Sequence, residues 1–478
     1  MNHQLLSPKD IVRSGLCIGC GSCVAQASAA AGQVSELTEY SDAAPQMDLD
    51  AYGHFKPVGS PAWFRHRSES FSRTCPFSPV ARDEDDLAEA LFPEAKHRDC
   101  KVGRFETAYV GYVAEEEFRT RGSSGGMVSW VLEELLRQGL VDGVAHVSAV
   151  EDPQKEGRFF RYRISRTVEE IRAGAKSRYY PVELSDVLQN IRALPGRYAV
   201  VGVPCFIKAI QLLRREDALL RERIVFTLGL FCGHMKSARM MESFAWQMGV
   251  AVEEVQRVEY RLKDPTRAAS TYTAQLTLTD GREVRKDWWN LADGDWGAGF
   301  FQNSACNFCD DVVAETADIS FGDAWVEPYS SDGRGTNVVV VRSPALDKIV
   351  ADAIGEGRLK LDEVDNEFII QTQAAGFRQR REGLAYRLTW PRLGVQPRKR
   401  VQPDAKSLSA RRKLIYRMRS LLTAWSHRVF WLARRTRRPQ LYLRWAWTAL
   451  ATYHGLAYSR GKLGEIVERL GLKTETYG

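Results

Sequence analysis

The chain has 478 residues, enough for two or three domains with sizeable hydrophobic cores. Its composition is 44% hydrophobic and 27% charged, which is typical of a soluble globular protein, and no apolar run is long enough for a membrane span. The net charge of +7 is concentrated towards the C-terminus. Because no export signal is recognisable, we expect a cytoplasmic protein with reduced thiols, which argues against a disulfide-stabilised fold.

The first 95 residues are predicted to form a small module of loops and short helices. An acidic helix over 83–91 and a linker containing Pro93 are expected to close this module.

Residues 96–383 alternate apolar strands with amphipathic helices, which predicts an α/β core with a partly parallel sheet. The pair Asp280-Gly281 predicts a tight turn in a hairpin between about 258 and 284. The predicted strands are 108–113, 143–148, 159–164, 198–203, 224–231 and 337–341, and the predicted helices are 126–138, 168–173, 184–193 and 206–214.

Residues 384–478 are predicted to be a helical extension that is both basic and aromatic. Fifteen lysines and arginines lie between Arg398 and Arg444, against the single acid Asp404. Helices of this kind suit an anionic membrane surface or an acidic protein partner. An alternative is a bundle that packs on the core and leaves only a solvated basic face. Nucleic acid is less favoured because no nucleic-acid-binding fold accompanies the charge.

Eight of the nine cysteines fall into two sets of four, and Cys100 is left over. The first set combines the run CIGCGSC with a distant cysteine before a proline, a spacing typical of 4Fe–4S ligands. Glycines within the run allow the backbone to wrap the cluster. The first set consists of Cys17, Cys20, Cys23 and Cys75, and the glycines are Gly19 and Gly21.

The second set is more scattered and has one tight pair. Its members are Cys205 in GVPC, Cys232 in LFCGH, and Cys306 and Cys309 in ACNFC. Zinc is the main alternative for both sets, because two-residue spacings also suit a tetrahedral metal. Zinc sites usually present two matched pairs or nearby histidines, so iron–sulfur clusters are favoured, more strongly for the first set.

The segment RTRGSSGG precedes the predicted helix 126–138 and is a candidate phosphate-binding loop. Small residues before a helix leave N–H groups and hydroxyls directed at one point, where the helix dipole favours an anion. Arginines add positive charge. The alternative is an ordinary capped helix with a flexible entry loop. The candidate residues are Arg121, Gly122, Ser123, Ser124, Gly125 and Gly126, with Arg119 beside them.

The segment KSRYYPV is a second candidate cofactor segment. Its basic and aromatic side chains suit a phosphate or a flat ring, although an exposed loop ended by Pro181 is the alternative. The GVPC motif follows an apolar strand, at the end of the sheet where open α/β folds bind ligands. A flavin is the usual partner of clusters, because it converts single electrons into pairs.

Taken together, these motifs resemble the beta-subunit family of the deazaflavin coenzyme (F-420) hydrogenases and dehydrogenases. Hydroxymethyl-chlorophyll reductase and bacterial proteins from polysaccharide loci also belong to that family. The matching motifs are CIGCGSC with TCP, RTRGSSGG, GLVDGV, KSRYYP, GVPC, GLFCGH, ACNFCDD and DISFGDAW, in order over about residues 10–345.

The resemblance implies a ferredoxin-like cluster module, two 4Fe–4S clusters held by the eight cysteines, and FAD, with FMN less favoured. It places the glycine–serine loop at the flavin phosphates, Lys176, Ser177 and Tyr179 along the cofactor, and Pro204 beside its ring. Asp323 corresponds to a position near the active centre.

The function hypothesis is an oxidoreductase that exchanges electrons between ferredoxin or reduced deazaflavin and an unidentified organic acceptor. His234 is a weak candidate proton donor and is expected rather to pack beside the cluster. One alternative is a non-catalytic electron-transfer subunit that docks on a partner enzyme. Another is a zinc-stabilised binding module.

Overall fold

The computed structural model describes residues 5–31, 44–115 and 117–471. The N-terminal part consists of short helices around one antiparallel hairpin, in which β1 pairs with β2. Its elements are α1 (Pro8–Arg13), α2 (Ser22–Ala31), β1 (Gln46–Leu49), β2 (Phe55–Val58), α3 (Pro61–Arg65), α4 (Glu69–Thr74) and α5 (Glu84–Leu91).

The central part alternates strands and helices, as predicted. Its strands are β3 (His97–Asp99), β4 (Gly103–Phe105), β5 (Thr107–Val113), β6 (Gly143–Ala149), β7 (Phe160–Ser165), β8 (Tyr198–Gly202), β9 (Ile224–Leu230), β10 (Val255–Leu262), β11 (Thr273–Leu278), β12 (Glu283–Asp287), β13 (Ile319–Asp323), β14 (Asn337–Val341) and β15 (Leu359–Glu363).

Its helices are α6 (Phe118–Arg121), α7 (Met127–Arg137), α8 (Pro153–Glu156), α9 (Val168–Ala173), α10 (Ser185–Ala193), α11 (Pro204–Glu216), α12 (Ala218–Arg223), α13 (Arg239–Gln247), α14 (Pro344–Gly355), α15 (Asn366–Thr372), α16 (Ala374–Arg380) and α17 (Glu382–Leu388). Three short 3₁₀ turns lie at Val252–Glu254, Trp288–Asn290 and Ser304–Phe308.

An eight-stranded mixed sheet organises the core in the order β15-β5-β14-β13-β9-β8-β6-β7. Its four inner strands β13, β9, β8 and β6 are parallel, while β14, β5 and β15 on one side and β7 on the other run antiparallel to their neighbours. The inner strand β8 is a wholly buried apolar run and every residue of β9 is buried or half-buried, as expected of parallel strands covered on both faces. The α/β prediction is confirmed.

A separate antiparallel sheet, β10-β11-β12, contains the predicted hairpin, with its turn at Asp280-Gly281. The strand β10 was not predicted as a third member of this sheet. All six predicted strands and all four predicted helices are present, with ends that differ by at most two residues.

The C-terminal part forms three helices, α18 (Ala410–Arg435), α19 (Pro439–Tyr458) and α20 (Gly461–Arg469). The helices α18 and α19 are antiparallel, because Phe430 contacts Tyr442 at one end and Arg411 donates to the carbonyl of Leu456 at the other. Among the described residues, no helix is long and apolar enough to cross a membrane.

This C-terminal hairpin packs on the core. Phe430 lies against Phe301 and stacks on Trp246, with ring centroids 5.2 and 4.4 Å apart. The hydroxyl of Tyr442 donates to the buried carboxylate of Asp293 at 2.9 Å. Of the alternatives for the extension, a bundle packed on the core is therefore what the structure shows, and any docking role falls to the outer face of these helices.

A buried histidine pair joins the C-terminal hairpin to the N-terminal part. The Nε2 atoms of His54 and His427 are 3.3 Å apart, and burial lowers the pKa of both, that of His427 to about 4. An unfolded histidine titrates near a pKa of about 6.5. The stability contributed by neutral His427 is therefore complete above about pH 6.5 and is lost as the pH falls towards 4.

We expect the free energy of unfolding to fall by about 2 kcal/mol between pH 7 and pH 5 on account of His427 alone. The variant His427→Gln should show a shallower pH dependence in denaturant titrations at the two pH values. His66→Gln, at an exposed histidine, is the matched control and should behave as the wild type. Equal pH slopes in both variants would contradict this explanation.

Candidate functional site

The first cysteine set converges on one cavity. Cys17, Cys20, Cys23 and Cys75 all line it, together with the glycines between them and Pro76. Cys75 ends α4, and Cys23 lies in the first turn of α2, so two short helices carry the remote and the local ligand to the same place.

The glycines of the CIGCGSC run are required by its backbone. Gly19 and Gly21 have φ values of +82° and +83°, a conformation that favours glycine. A β-carbon on Gly19 would lie 2.5 Å from the carbonyl oxygen of Phe55, and one on Gly21 would lie 2.5 Å from Oε2 of Glu183. The tight wrapping expected from the sequence is therefore present.

The second set is assembled at the carboxyl edge of the parallel strands. Cys205 follows β8 in the first turn of α11, and Cys232 follows the adjacent β9. Cys306 and Cys309 arrive on the 3₁₀ turn Ser304–Phe308 and the residue after it. The backbone N–H of Met235 lies 3.3 Å from Sγ of Cys306, an N–H···S contact of the kind expected around a cluster.

The two sets adjoin each other. Burial raises the pKa of Cys205, and the thiols of Cys309, Cys232, Cys306 and Cys20 raise it further, so Cys20 of the first set lies within electrostatic reach of the second. Both sets belong to one hydrophobic core. Two hydrogen bonds fix this contact, from Nδ2 of Asn303 to the Ile18 carbonyl at 3.2 Å and from Oγ of Ser304 to the Gly15 carbonyl at 2.7 Å.

Burial raises the pKa of seven of the eight thiols, with Cys20 and Cys306 at about 11. These thiols therefore become thiolates only where a metal replaces the proton. No three His, Cys, Asp or Glu side chains in the described part of the chain lie close enough to hold a single metal ion.

Arg380 supplies a buried positive charge beside the second set. Its Nη2 donates to the carbonyls of Cys232 and Gly233 at 2.8 and 2.7 Å. Burial alone would lower the pKa of the Arg380 guanidinium. The surrounding thiols of the second set outweigh this effect and raise that pKa above its ordinary value. Its Nε and Nη1 have no hydrogen-bond partner among the described residues. These donors are what the sulfur atoms of an anionic cluster require, so the residues fit that group.

A buried ion-pair network, here called the acidic hub, supports the same cysteines. Asp310, which follows Cys309, is fully buried and is paired with Lys399 at 3.2 Å and with Arg400 at 3.5 Å. Arg400 also binds Glu315 at 2.7 Å and Asp85 at 2.8 Å. Lys399 and Arg400, two of the fifteen basic residues counted in the extension, are therefore structural residues of the core and do not belong to an exposed basic face.

The two predicted cofactor segments lie side by side. The backbone N–H of Ser177 donates to Oγ of Ser123 at 2.8 Å. Residues 175–179 are half-buried and Tyr180 and Pro181 are buried, so the exposed-loop alternative for KSRYYPV was wrong. Lys176 has a φ of +97° and pairs with Glu259 at 2.8 Å.

The glycine–serine loop is held firmly from behind. Lys263 donates to the Ser124 carbonyl at 2.8 Å, and Oγ of Ser124 donates to the Thr336 carbonyl at 2.9 Å. Arg119 pairs with Asp332 at 3.0 Å and lies over the ring of Tyr112. Gly122 and Gly126 pack against Phe118, and Gly125 packs against Gly111 and Asn337. Of the two arginines in this segment, Arg121 is the one left largely exposed.

A cavity of about 170 Å³ opens beside this loop, lined by Arg121, Phe118, Ser129, Arg172 and Ala175, with Glu117. It therefore borders the first cofactor segment at Arg121, and its lining residue Ala175 directly precedes the second segment. Pockets for whole ligands usually measure about 300–1,000 Å³, so this cavity suits a phosphate-bearing portion of a cofactor. Arg121 supplies positive charge suited to such a portion, whereas Arg172 already pairs with the buried Glu133 at 2.7 Å.

An aromatic cluster connects the second cofactor segment to the second cysteine set. Tyr179 contacts Trp296 at 4.9 Å and Trp288 at 5.6 Å between ring centroids. Trp296 in turn contacts His234 at 4.5 Å. His234 follows Cys232 by two residues, so a path of rings leads from KSRYYP to the second set.

His234 and Lys236 differ in their capacity to hold a proton. Burial and the nearby cations lower the pKa of His234 well below its ordinary value, so it is neutral at pH 7 and packs against Trp296, in line with the packing role expected for it. Burial lowers the pKa of Lys236 to about 7. Its Nζ donates to the Phe300 carbonyl at 2.7 Å and lies 4.8 Å from the centre of the Trp296 ring. Lys236 can therefore exchange a proton near neutral pH.

Asp323 lies at the carboxyl end of β13, on the same edge of the sheet as Cys205 and Cys232. Its carboxylate pairs with Arg261 at 2.9 Å, and the Arg261 guanidinium lies over the ring of Tyr272. The role of Asp323 visible in the structure is to position this arginine. Pro204 begins α11, directly before Cys205.

Three residues of this region, Arg380, Lys236 and Lys263, were missed by sequence reasoning. Each is a single basic residue outside the recognised motifs, and burial is what distinguishes it in the structure. For Lys236, the short distance in sequence from the GLFCGH run was a signal that could have been used.

Two family models match this chain. The model described as "Coenzyme F420 hydrogenase/dehydrogenase, beta subunit N-term" matches residues 108–189, and the corresponding C-terminal model matches residues 196–367. Together they cover more than half of the chain. The chain belongs to this family.

Two relatives of this family member are named as subunits of a dehydrogenase and of a hydrogenase. It is 22% identical to a subunit of the F(420)H(2) dehydrogenase of Methanosarcina mazei over 321 residues, 66% of this chain and 77% of that protein. It is 22% identical to the beta subunit of the coenzyme F420 hydrogenase of Methanothermobacter thermautotrophicus over 273 residues, 54% of this chain and 84% of that protein.

Among solved structures, a chain of the F420-reducing [NiFe] hydrogenase complex from Methanosarcina barkeri aligns with a TM-score of 0.46 and 17% identity. The alignment covers 59% of this chain and 92% of that chain.

Proposed function

We propose that this family member is an iron–sulfur flavoprotein oxidoreductase. In this proposal it exchanges electrons between a low-potential carrier, deazaflavin coenzyme or ferredoxin, and an organic acceptor. The observation that carries the proposal is the convergence of eight thiols into two adjoining sets beside the aromatic cluster. The names of both curated relatives support deazaflavin as the carrier.

In this proposal each four-cysteine set holds one 4Fe–4S cluster, and the residues 121–126 and 176–179 hold FAD. The clusters supply one-electron transfer, and the flavin supplies conversion between single electrons and electron pairs. Arg380 offsets negative charge at the second set, and the buried surroundings exclude water. Lys236 holds a proton at Nζ, next to Trp296.

A simple assay tests the proposal. The purified chain, without other subunits, is mixed anaerobically with reduced deazaflavin coenzyme and a viologen dye as the acceptor. We expect oxidation of the coenzyme at a rate proportional to protein. Absence of transfer from both reduced deazaflavin and reduced ferredoxin would contradict the proposal.

A second candidate function is a non-catalytic relay subunit. It is favoured by the names of both matched relatives, which describe subunits of larger enzymes. In that case the purified chain would take up electrons from the carrier, and its visible absorbance would bleach, but no organic acceptor would be reduced until a partner enzyme was added.

The cavity beside the glycine–serine loop gives a sharper prediction for the flavin. Arg121→Gln removes a positive charge at the rim of that cavity, so we expect flavin to bind about tenfold more weakly, as the loss of one charge-assisted hydrogen bond implies. Flavin released on denaturation after dialysis measures this effect. Arg163→Gln, at an exposed arginine on β7, is the matched control and should retain wild-type flavin content.

A further inference from the structure

The outward face of α18 carries an exposed apolar and basic pattern. Seven positions at successive spacings of three or four residues are exposed, and we call them the outer stripe. They lie on one face because this spacing matches the helical period. The outer stripe consists of Leu414, Arg417, Leu421, Trp425, Arg428, Leu432 and Arg435. Of its members, Arg417 also contacts the core, with Nε donating to the hydroxyl of Tyr386 at 2.8 Å.

The opposite face of α18 already makes the packing contacts with the core. Leu422, Ser426, Phe430 and Ala433 are buried there, and the backbone N–H of Phe301 donates to Oγ of Ser426 at 3.0 Å. The stripe is therefore not a displaced core face. Its large apolar side chains stand in solvent, with Leu421 57% and Trp425 47% exposed. Contiguous exposed apolar side chains of this kind mark an interaction surface.

The charge around the outer stripe identifies the kind of partner. Between residues 405 and 464 the sequence has fourteen lysines and arginines and no aspartate or glutamate. Arg411 is buried, and Arg412 and Arg434 pair with glutamates of other helices, so the remaining eleven form the basic surface. Such a surface attracts a polyanion and repels a second copy of itself. Within the stripe, the guanidinium of Arg428 lies 5.4 Å from the centre of the Trp425 ring.

The apolar side chains of the stripe indicate which kind of polyanion suits it. Nucleic acid presents phosphates and base faces, and neither buries a row of leucines. An anionic phospholipid surface accommodates both the apolar and the basic side chains of the stripe. Leucine and tryptophan enter the headgroup–acyl boundary, while arginine stays at the phosphates. The exposed Leu441 and Trp447 of α19 extend the same chemistry to the second helix of the hairpin.

We propose that the outer stripe of α18 docks this protein on an anionic phospholipid surface. The 26 residues of α18 give a contact about 39 Å long that lies along the surface. The stripe holds four apolar and three basic side chains, so binding needs both anionic lipid and apolar insertion.

Vesicle co-sedimentation of the full-length protein tests this proposal. We expect binding to phosphatidylcholine vesicles that contain phosphatidylglycerol, little binding to phosphatidylcholine alone, and weaker binding as salt rises. Arg428→Gln with Arg435→Gln should weaken partitioning about 30-fold, since each basic residue near the surface contributes about five- to sixfold. Leu421→Ser with Trp425→Ser should weaken it by more than about tenfold.

Matched controls keep the test specific. Arg98→Gln with Arg257→Gln removes the same charge at exposed positions of β3 and β10, and Trp289→Ser removes an exposed tryptophan outside the stripe. Both should bind as the wild type, and thermal melting confirms that each variant is folded. Equal binding to neutral vesicles, or unchanged binding by both stripe variants, would overturn the proposal. A stripe-dependent gel shift of single-stranded RNA without vesicle binding would overturn it as well.

Discussion

Replacing Cys205 with serine is expected to remove about four irons per chain and to leave about four in place. Cys205 is the member of the second set at the start of α11, and no other thiol on β8 or α11 can replace it. Cys20→Ser should have the complementary effect on the first set. Iron and acid-labile sulfide after anaerobic purification measure both results, and low-temperature EPR of the reduced proteins should show a different remaining signal in each.

The ninth cysteine provides the control for that experiment. Cys100 is exposed and belongs to neither set. Cys100→Ser should therefore retain the iron content of the wild type. If Cys205→Ser kept all of its iron while Cys100→Ser lost some, the assignment of ligands would be wrong.

Arg400→Met is expected to destabilise the protein by about 3–5 kcal/mol, because it removes a buried counter-charge that Asp310 and Glu315 share and leaves them only Lys399 and Arg381. Arg400 is 7% exposed in its side chain, and its partners Asp310 and Glu315 are at most 1% exposed. Since Asp310 follows Cys309, we expect the second set to lose iron before the chain unfolds as a whole. Denaturant titration and iron release at intermediate denaturant measure the two effects.

A substitution at a neighbouring arginine distinguishes the loss of ion pairs in the acidic hub from a general loss of positive charge. Arg398 is exposed two residues earlier, so Arg398→Met should change the free energy of unfolding by less than about 0.5 kcal/mol. Equal destabilisation by both substitutions would show that the hub contributes nothing specific.

The elements of the core were predictable because its strands are apolar runs and its helices carry a 3.6-residue period. The strand 337–341 and the helix 168–173 are examples in which both length and type are confirmed. The order of strands was not predictable, because β13 and β14 reach their places beside β9 and β5 through contacts remote in sequence.

The candidate site was likewise predictable from local motifs but not from contacts between residues remote in sequence. Motif spacing grouped Cys205 with Cys306, and the structure brings them together, but nothing in that spacing predicted Arg380 beside them. Lys399 and Arg400 looked like surface residues because their acidic partners lie far away in sequence, as in the bond from Arg400 to Glu315. A charge run alone does not reveal whether its partner is solvent or a buried carboxylate.

The central claim is that the two adjoining thiol sets hold iron–sulfur clusters. The direct measurement is the amount of iron, sulfide, zinc and flavin per chain in anaerobically purified protein. We predict about eight irons, about eight sulfides, about one flavin and no stoichiometric zinc. Stoichiometric zinc without sulfide would contradict the claim.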